Sequence, residues 1–215
     1  MKKIDTKKVV LQALKDKKIE IEGRKNKIKI FYKNSHVTNL SQIILPSKIE
    51  LDEKFIEGIG LYCGDGDVNS KCQKHITFST VDEDIGKFEF NFFKNYFGFS
   101  PEKIKLQIYS SIQNKDVSLY KWSKILNLPT TKFKISVSEK NKQGCLQIHI
   151  NSIIFGKFFR KLIKSLLKNI LTDPKLRKAF LRGFFAADGS IETRKKIISK
   201  LVILVLLTTK QKKSG

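Results

Sequence analysis

The chain is poor in acid, in cysteine and in long apolar runs, and each shortage excludes something. Asp and Glu number 20 against 43 Lys and Arg, a formal net charge of +23 on 215 residues. A polyanionic partner is expected, nucleic acid before any other. The three cysteines, at 63, 72 and 145, are odd in number and widely spaced, which argues against a disulfide framework and for a reducing interior. No stretch approaches the roughly 20 apolar residues of a membrane span; the best, 197–207, is short and broken by Ser199 and Lys200. No Gly-rich phosphate loop and no nucleophile motif is present. The opening MKKIDTKK is charged, with no apolar run behind it to make a secretory signal. The expectation is an intracellular protein (cytoplasm, nucleoid or organelle) with no membrane partner and no small-molecule substrate.

What is present starts with phenylalanine. Sixteen of them, within a hydrophobic fraction of 40%, suffice for one or two small cores. The basic residues are spread along the chain and do not form one tail, which suits a broad binding surface. The plain alternative is a soluble Lys-rich protein from an A/T-biased genome.

One short stretch occurs twice. Residues 58–66 read GIGLYCGDG and residues 181–189 read LRGFFAADG. Both are apolar helical segments with a small residue in the middle, and both end in Asp-Gly. Asp65 and Asp188 are 188 − 65 = 123 positions apart, about one small domain. Two helices approach closely only where side chains are small, so Gly60, Gly64, Gly183, Ala186 and Ala187 suit a tight crossing. Phe55, Ile59, Leu61, Phe180, Phe184 and Phe185 would face the cores on either side. A carboxylate at a helix C-terminus opposes the helix dipole. Two converging there would repel unless a divalent cation lay between them, and Mg²⁺ takes such oxygen ligands. The bland alternative is two core helices, each stopped by a turn Asp and a Gly.

The two stretches resemble the paired motifs of the LAGLIDADG homing endonucleases; the second matches that string at Leu181, Gly183, Ala187, Asp188 and Gly189. The resemblance implies that the motif helices pack side by side. It implies that Asp65 and Asp188 are catalytic and hold Mg²⁺ (or Mn²⁺), helped by the backbone carbonyls of Gly64 and Ala187. The fold it implies is α+β, αββαββα, with an antiparallel sheet laid on double-stranded DNA. The activity it implies is metal-dependent phosphodiester hydrolysis of the homing kind, moving an intron or intein. A non-cleaving DNA- or RNA-binding protein on the same fold, a maturase or regulator, is the alternative.

Along the chain, residues 1–50 form a basic N-terminal appendage, with a short helix over 8–15 and a hairpin turning at Gly23. Residues 51–172 make the first domain, and 173–215 begin a second. Within the first, 73–80, 103–112, 132–137 and 145–150 alternate as strands; 68 and 73–80 would pair about the turn 69–71. Acidic residues at 82–84 open one helix and Gly98 closes it. Phe155, Phe158, Phe159, Leu162, Ile163, Leu166, Leu167 and Ile170 trace one face of a long helix, with Lys157, Arg160, Lys161, Lys164 and Lys168 opposite. The polar strand face would present Lys74, Thr77, Ser79, Lys103, Lys105, Gln107, Lys132, Lys134 and Gln147, with His149, to DNA; the alternative is an ordinary solvated face.

Two features depart from the family. The segment after Gly189 is a basic run and an apolar stretch, 201–207, without strand alternation. This predicts a second repeat that is incomplete, in a truncated or frame-shifted reading frame. A monomer is expected, with pairing to a second chain as the way to supply the missing half. The strand after the first motif ends in Ser79, Thr80 and Val81, where the family often places a glutamine or lysine; Lys132 or Lys134 from a neighbouring strand would substitute. Cys72 with His75, and Cys145 with His149, have zinc-like spacings that also arise often by chance.

Overall fold

The computed structural model describes residues 3–15, 17–32, 41–67, 75–138, 140 and 143–188. Its centre is the first motif helix, α2 (Glu53–Asp65), flanked by sheets and helices on either side in sequence.

Before it come β1 (Lys3–Asp5), α1 (Thr6–Ala13), β2 (Ile19–Arg24), β3 (Lys27–Tyr32), β4 (Ser41–Pro46) and β5 (Lys48–Glu50). β1 pairs with β5, and β2-β3-β4 form a three-stranded antiparallel sheet. The hairpin turns at residues 25–26, with Lys25 at φ 48°; Gly23 lies inside β2, opposite Ile28. Local alternation points to a hairpin but does not set its register by itself. Val10, Leu14, Ile30 and Leu45 are fully or almost fully buried, within the same apolar cluster as the later helices.

After α2 come β6 (Ile76–Thr80), α3 (Glu83–Phe97), β7 (Lys105–Ser110), α4 (Lys115–Leu126), β8 (Phe133–Val137), β9 (Cys145–Ile150), α5 (Ile153–Thr172) and α6 (Pro174–Asp188). Side chains stop and start these helices where the residue types say they should. Asp52, Asp82 and Ser152 accept hydrogen bonds from the N–H groups of Phe55 (2.7 Å), Ile85 (3.0 Å) and Phe155 (3.2 Å). Gly98 ends α3 in the left-handed region at φ 70°. All eight apolar residues expected on the inner face of α5 are buried. Their phenyl rings meet those of α3 largely edge-on, as with Phe97 and Phe155 at 5.0 Å.

The architecture is α+β, as expected, but the sheet is not wholly antiparallel. Its order is β6-β9-β7-β8, and β7 pairs with β8 in parallel. The chain crosses from β7 to β8 through α4, a connection that parallel neighbours require. β8 and β9, which follow each other in sequence, are therefore not partners. Leu146, Ile148 and Ile150 are at most 2% exposed, which suits β9 to a central place, while β8 takes the edge. Before β6, Gly66 makes a single antiparallel bridge to Phe78. The rest of the expected first strand, 68–74, lies outside the described residues, as do 189–215.

Candidate functional site

The two motif helices pack side by side and run parallel. Glu53 of α2 meets Lys175 of α6 at 3.0 Å, and Glu57 meets Arg182 at 2.7 Å, so numbers rise together along both helices. From the second ion pair onward, toward the C-terminal ends, the backbones touch. A Cβ on Gly60 would overlap the carbonyl oxygen of Phe180. A Cβ on Gly183 would overlap the carbonyl of Glu57 and lie 3.0 Å from the amide nitrogen of Leu61. At Gly64 a Cβ would lie 2.5 Å from that of Ala187. Glycine and alanine at these positions bring the helices to backbone contact.

Ala186 does not share this role. It is exposed, as is Phe185, while Phe180, Gly183 and Phe184 are buried and Ala187 half-buried. Residues 180, 183, 184 and 187 follow the three-and-four spacing of one helix face, and 185 and 186 fall off it.

The register sets the ends of the pair. Gly64 stands against Ala187, and 187 − 64 equals 188 − 65, so the backbones of Asp65 and Asp188 reach the same end. Asp65 is half-buried there. Its charge, after burial, holds the Cys145 thiol above its ordinary range. The next residue, Gly66, bridges to Phe78 of β6, whose end pairs with the start of β9, Thr80 opposite Leu146. The side chain of Asp188 lies outside the described residues. Among the described residues, no three His, Cys, Asp or Glu gather as a metal site; Cys72, one of the zinc-spaced residues, is not among them.

A second acid two residues on has a different environment. Asp67 accepts from the Tyr62 hydroxyl and from the Thr77 N–H at 3.1 Å, and pairs with Arg160 at 3.4 Å. Burial first, then the hydrogen bond and charge of Asp67, raise the Tyr62 phenol, which therefore stays protonated and donates. Neither Asp67 nor Arg160 was expected here. The one signal was an arginine among the lysines of the outer α5 face.

The polar face of the sheet assembles much of the expected set. Its rows are Thr77–His149–Lys105 and Ser79–Gln147–Gln107–Lys134. Gln147 donates to Ser79 at 2.9 Å, Gln107 donates to Ser136 at 2.7 Å, and the Thr77 hydroxyl lies 3.2 Å from His149 Nδ1. Burial first, then His75, hold His149 below the ordinary histidine range. Lys103 and Lys132 are not on strands; each ends a 3₁₀ turn, Pro101–Lys103 and Thr130–Lys132. Lys105, Gln107, Lys132, Lys134 and His149 line an open groove of about 540 Å³. Lys74 lies outside the described residues. Lys134 does not substitute at the end of β6. Three strand spacings separate them, roughly 14 Å.

No described helix is long and apolar enough to cross a membrane. No curated protein and no solved structure matches the chain. Residues 175–213, most of α6 and the segment after it, match the family model described as a LAGLIDADG-like domain. The resemblance to the family is borne out at the second motif, where the chain is similar to a LAGLIDADG-like domain; the first motif lies outside the matched residues.

Proposed function

We propose that the protein is a site-specific DNA endonuclease of the homing type, hydrolysing phosphodiester bonds at the shared end of its two motif helices. The observation that carries this reading is the parallel, backbone-to-backbone pairing of α2 and α6, with Gly64 against Ala187. That register brings the backbones of two acids, far apart in sequence, to one end of a helix pair.

The donor set suits a hard divalent cation. Asp65 and Asp188, with the carbonyls of Gly64 and Ala187, would hold Mg²⁺ or Mn²⁺ through oxygen. Such an ion supplies activation of water and stabilisation of the leaving oxygen. The chain's own contribution is position and charge. The glycine contacts fix the two helix ends together, and the Lys105–Lys134 groove offers cations to phosphate. Gln107 and Gln147, opposite each other on β7 and β9, offer amides to base edges.

The test is Mg²⁺-dependent cleavage of DNA from the gene's own insertion locus, wild type beside Asp65→Asn. Cutting that vanishes in the variant supports the reading. Salt-sensitive binding without cutting overturns it in favour of a non-cleaving DNA- or RNA-binding protein.

A further inference from the structure

The end of α2 reads GDGD, and the function just proposed uses only the first acid. The second is built into the fold. Its carboxylate takes the Tyr62 hydroxyl from α2, the Thr77 N–H from β6 at 3.1 Å and the Arg160 guanidinium from α5 at 3.4 Å. Its own N–H donates to the Thr77 carbonyl at 3.1 Å. Arg160 donates further to the carbonyl of His75 at 3.2 Å. One carboxylate thus joins three elements. The pair lies largely out of water, the Arg160 side chain 10% exposed and that of Asp67 21%.

Burying such a pair is a weak way to gain stability, because desolvation offsets most of the attraction. Its location points elsewhere. Between Asp65 and Asp67 stands only Gly66, whose N–H donates to the Tyr62 carbonyl at 2.8 Å and which bridges to Phe78. A Cβ there would lie 2.7 Å from the Tyr62 ring. The segment 65–67 is therefore held to α2 on one side and to β6 on the other. A carboxylate in the last turn of a helix opposes the dipole and favours fraying; this segment is tied against it.

We propose that Asp67 is a positioning residue: the Tyr62–Asp67–Arg160 clamp sets the direction in which Asp65 leaves α2 toward the shared helix end. The inference rests on the reading of Asp65 as a metal-holding acid. Removing such supporting partners typically costs about 10-fold or more in metal affinity or activity.

The experiment uses the full chain as wild type, Tyr62→Phe, Asp67→Asn and Asp65→Asn. Three quantities are measured: Mn²⁺ affinity by electron paramagnetic resonance, kcat and KM on target DNA, and melting temperature. Tyr62→Phe and Asp67→Asn are expected to weaken Asp65-dependent Mn²⁺ binding and lower kcat, each about 10-fold, with KM within about twofold. If Asp67→Asn does not fold, Tyr62→Phe, which keeps the ring, carries the test. A lower melting temperature with unchanged Mn²⁺ affinity and kcat overturns the inference, and so does a wild type without Asp65-dependent Mn²⁺ binding. A wild type that binds Mn²⁺ through Asp65, weakened in the clamp variants, but cuts no DNA sinks the endonuclease reading and leaves the clamp standing.

Discussion

Gly183 and Glu57 meet backbone to backbone: a methyl group on Gly183 would occupy the space of the Glu57 carbonyl oxygen. The neighbours are main-chain atoms within a helix, which cannot rotate aside as a side chain can. Gly183→Ala and Gly60→Ala are therefore expected to destabilise by about 2–3 kcal/mol, the upper part of the overpacking range. Ala186→Ser, at an exposed position of the same helix, should change little. Urea denaturation of the three variants checks this; equal losses would show that α2 and α6 are not in close contact.

Glu89 lies on α3, fully buried, with no hydrogen-bond partner for either oxygen among the described residues. Burial raises its carboxyl well above the usual range. The folded protein therefore keeps a proton that the unfolded chain releases. Its contribution is fully present below an unfolded value of about 4.3 and is lost as pH rises toward the folded value. The slope is at most about 1.4 kcal/mol per pH unit. Glu89→Gln removes that slope. Its melting temperature should match wild type at pH 4 and exceed it at pH 7; the same difference at both pH values would refute the assignment.

Asp52 serves two elements. It caps α2 through the Phe55 N–H at 2.7 Å and accepts the Tyr96 hydroxyl of α3 at 2.6 and 2.8 Å. Asp52→Ala should cost about 2 kcal/mol, cap and tyrosine bond together, and Tyr96→Phe about 1 kcal/mol. A double-mutant cycle measures the overlap. Strictly additive losses would mean that the tyrosine bond contributes nothing.

On the nucleic-acid reading, the groove lysines and the row of amides should separate in a salt titration. Lys105→Ala or Lys134→Ala should weaken binding to all DNA alike. Each cation removed from a phosphate makes the dependence of log K on log salt shallower by about 0.9. Gln107→Ala and Gln147→Ala should change sequence preference and leave the salt dependence intact. Fluorescence titration at several salt concentrations distinguishes the two patterns; a shallower salt dependence in the glutamine variants would count against base reading.

The amino-acid sequence by itself determined what depends on near neighbours along the chain. Spacing of three and four picked out eight residues of α5 that are all buried, alternation of two placed β6, β7 and β9, and the acids at 82–84 marked where α3 begins. The small residues of the motifs announced a close helix pair because only a missing side chain permits one. Tertiary structure alone decided what depends on distant partners. The sheet order β6-β9-β7-β8, with its parallel β7–β8 pair, joins strands that are distant in sequence, and no local period encodes it. Ala186 and Ala187 are the same residue type, and a rotation of one position along the helix puts only the second against Gly64. Arg160 and Asp67 are 93 positions apart. Read singly they are an outer-face base and a loop acid, and only the packing of α5 against the end of α2 makes them a pair.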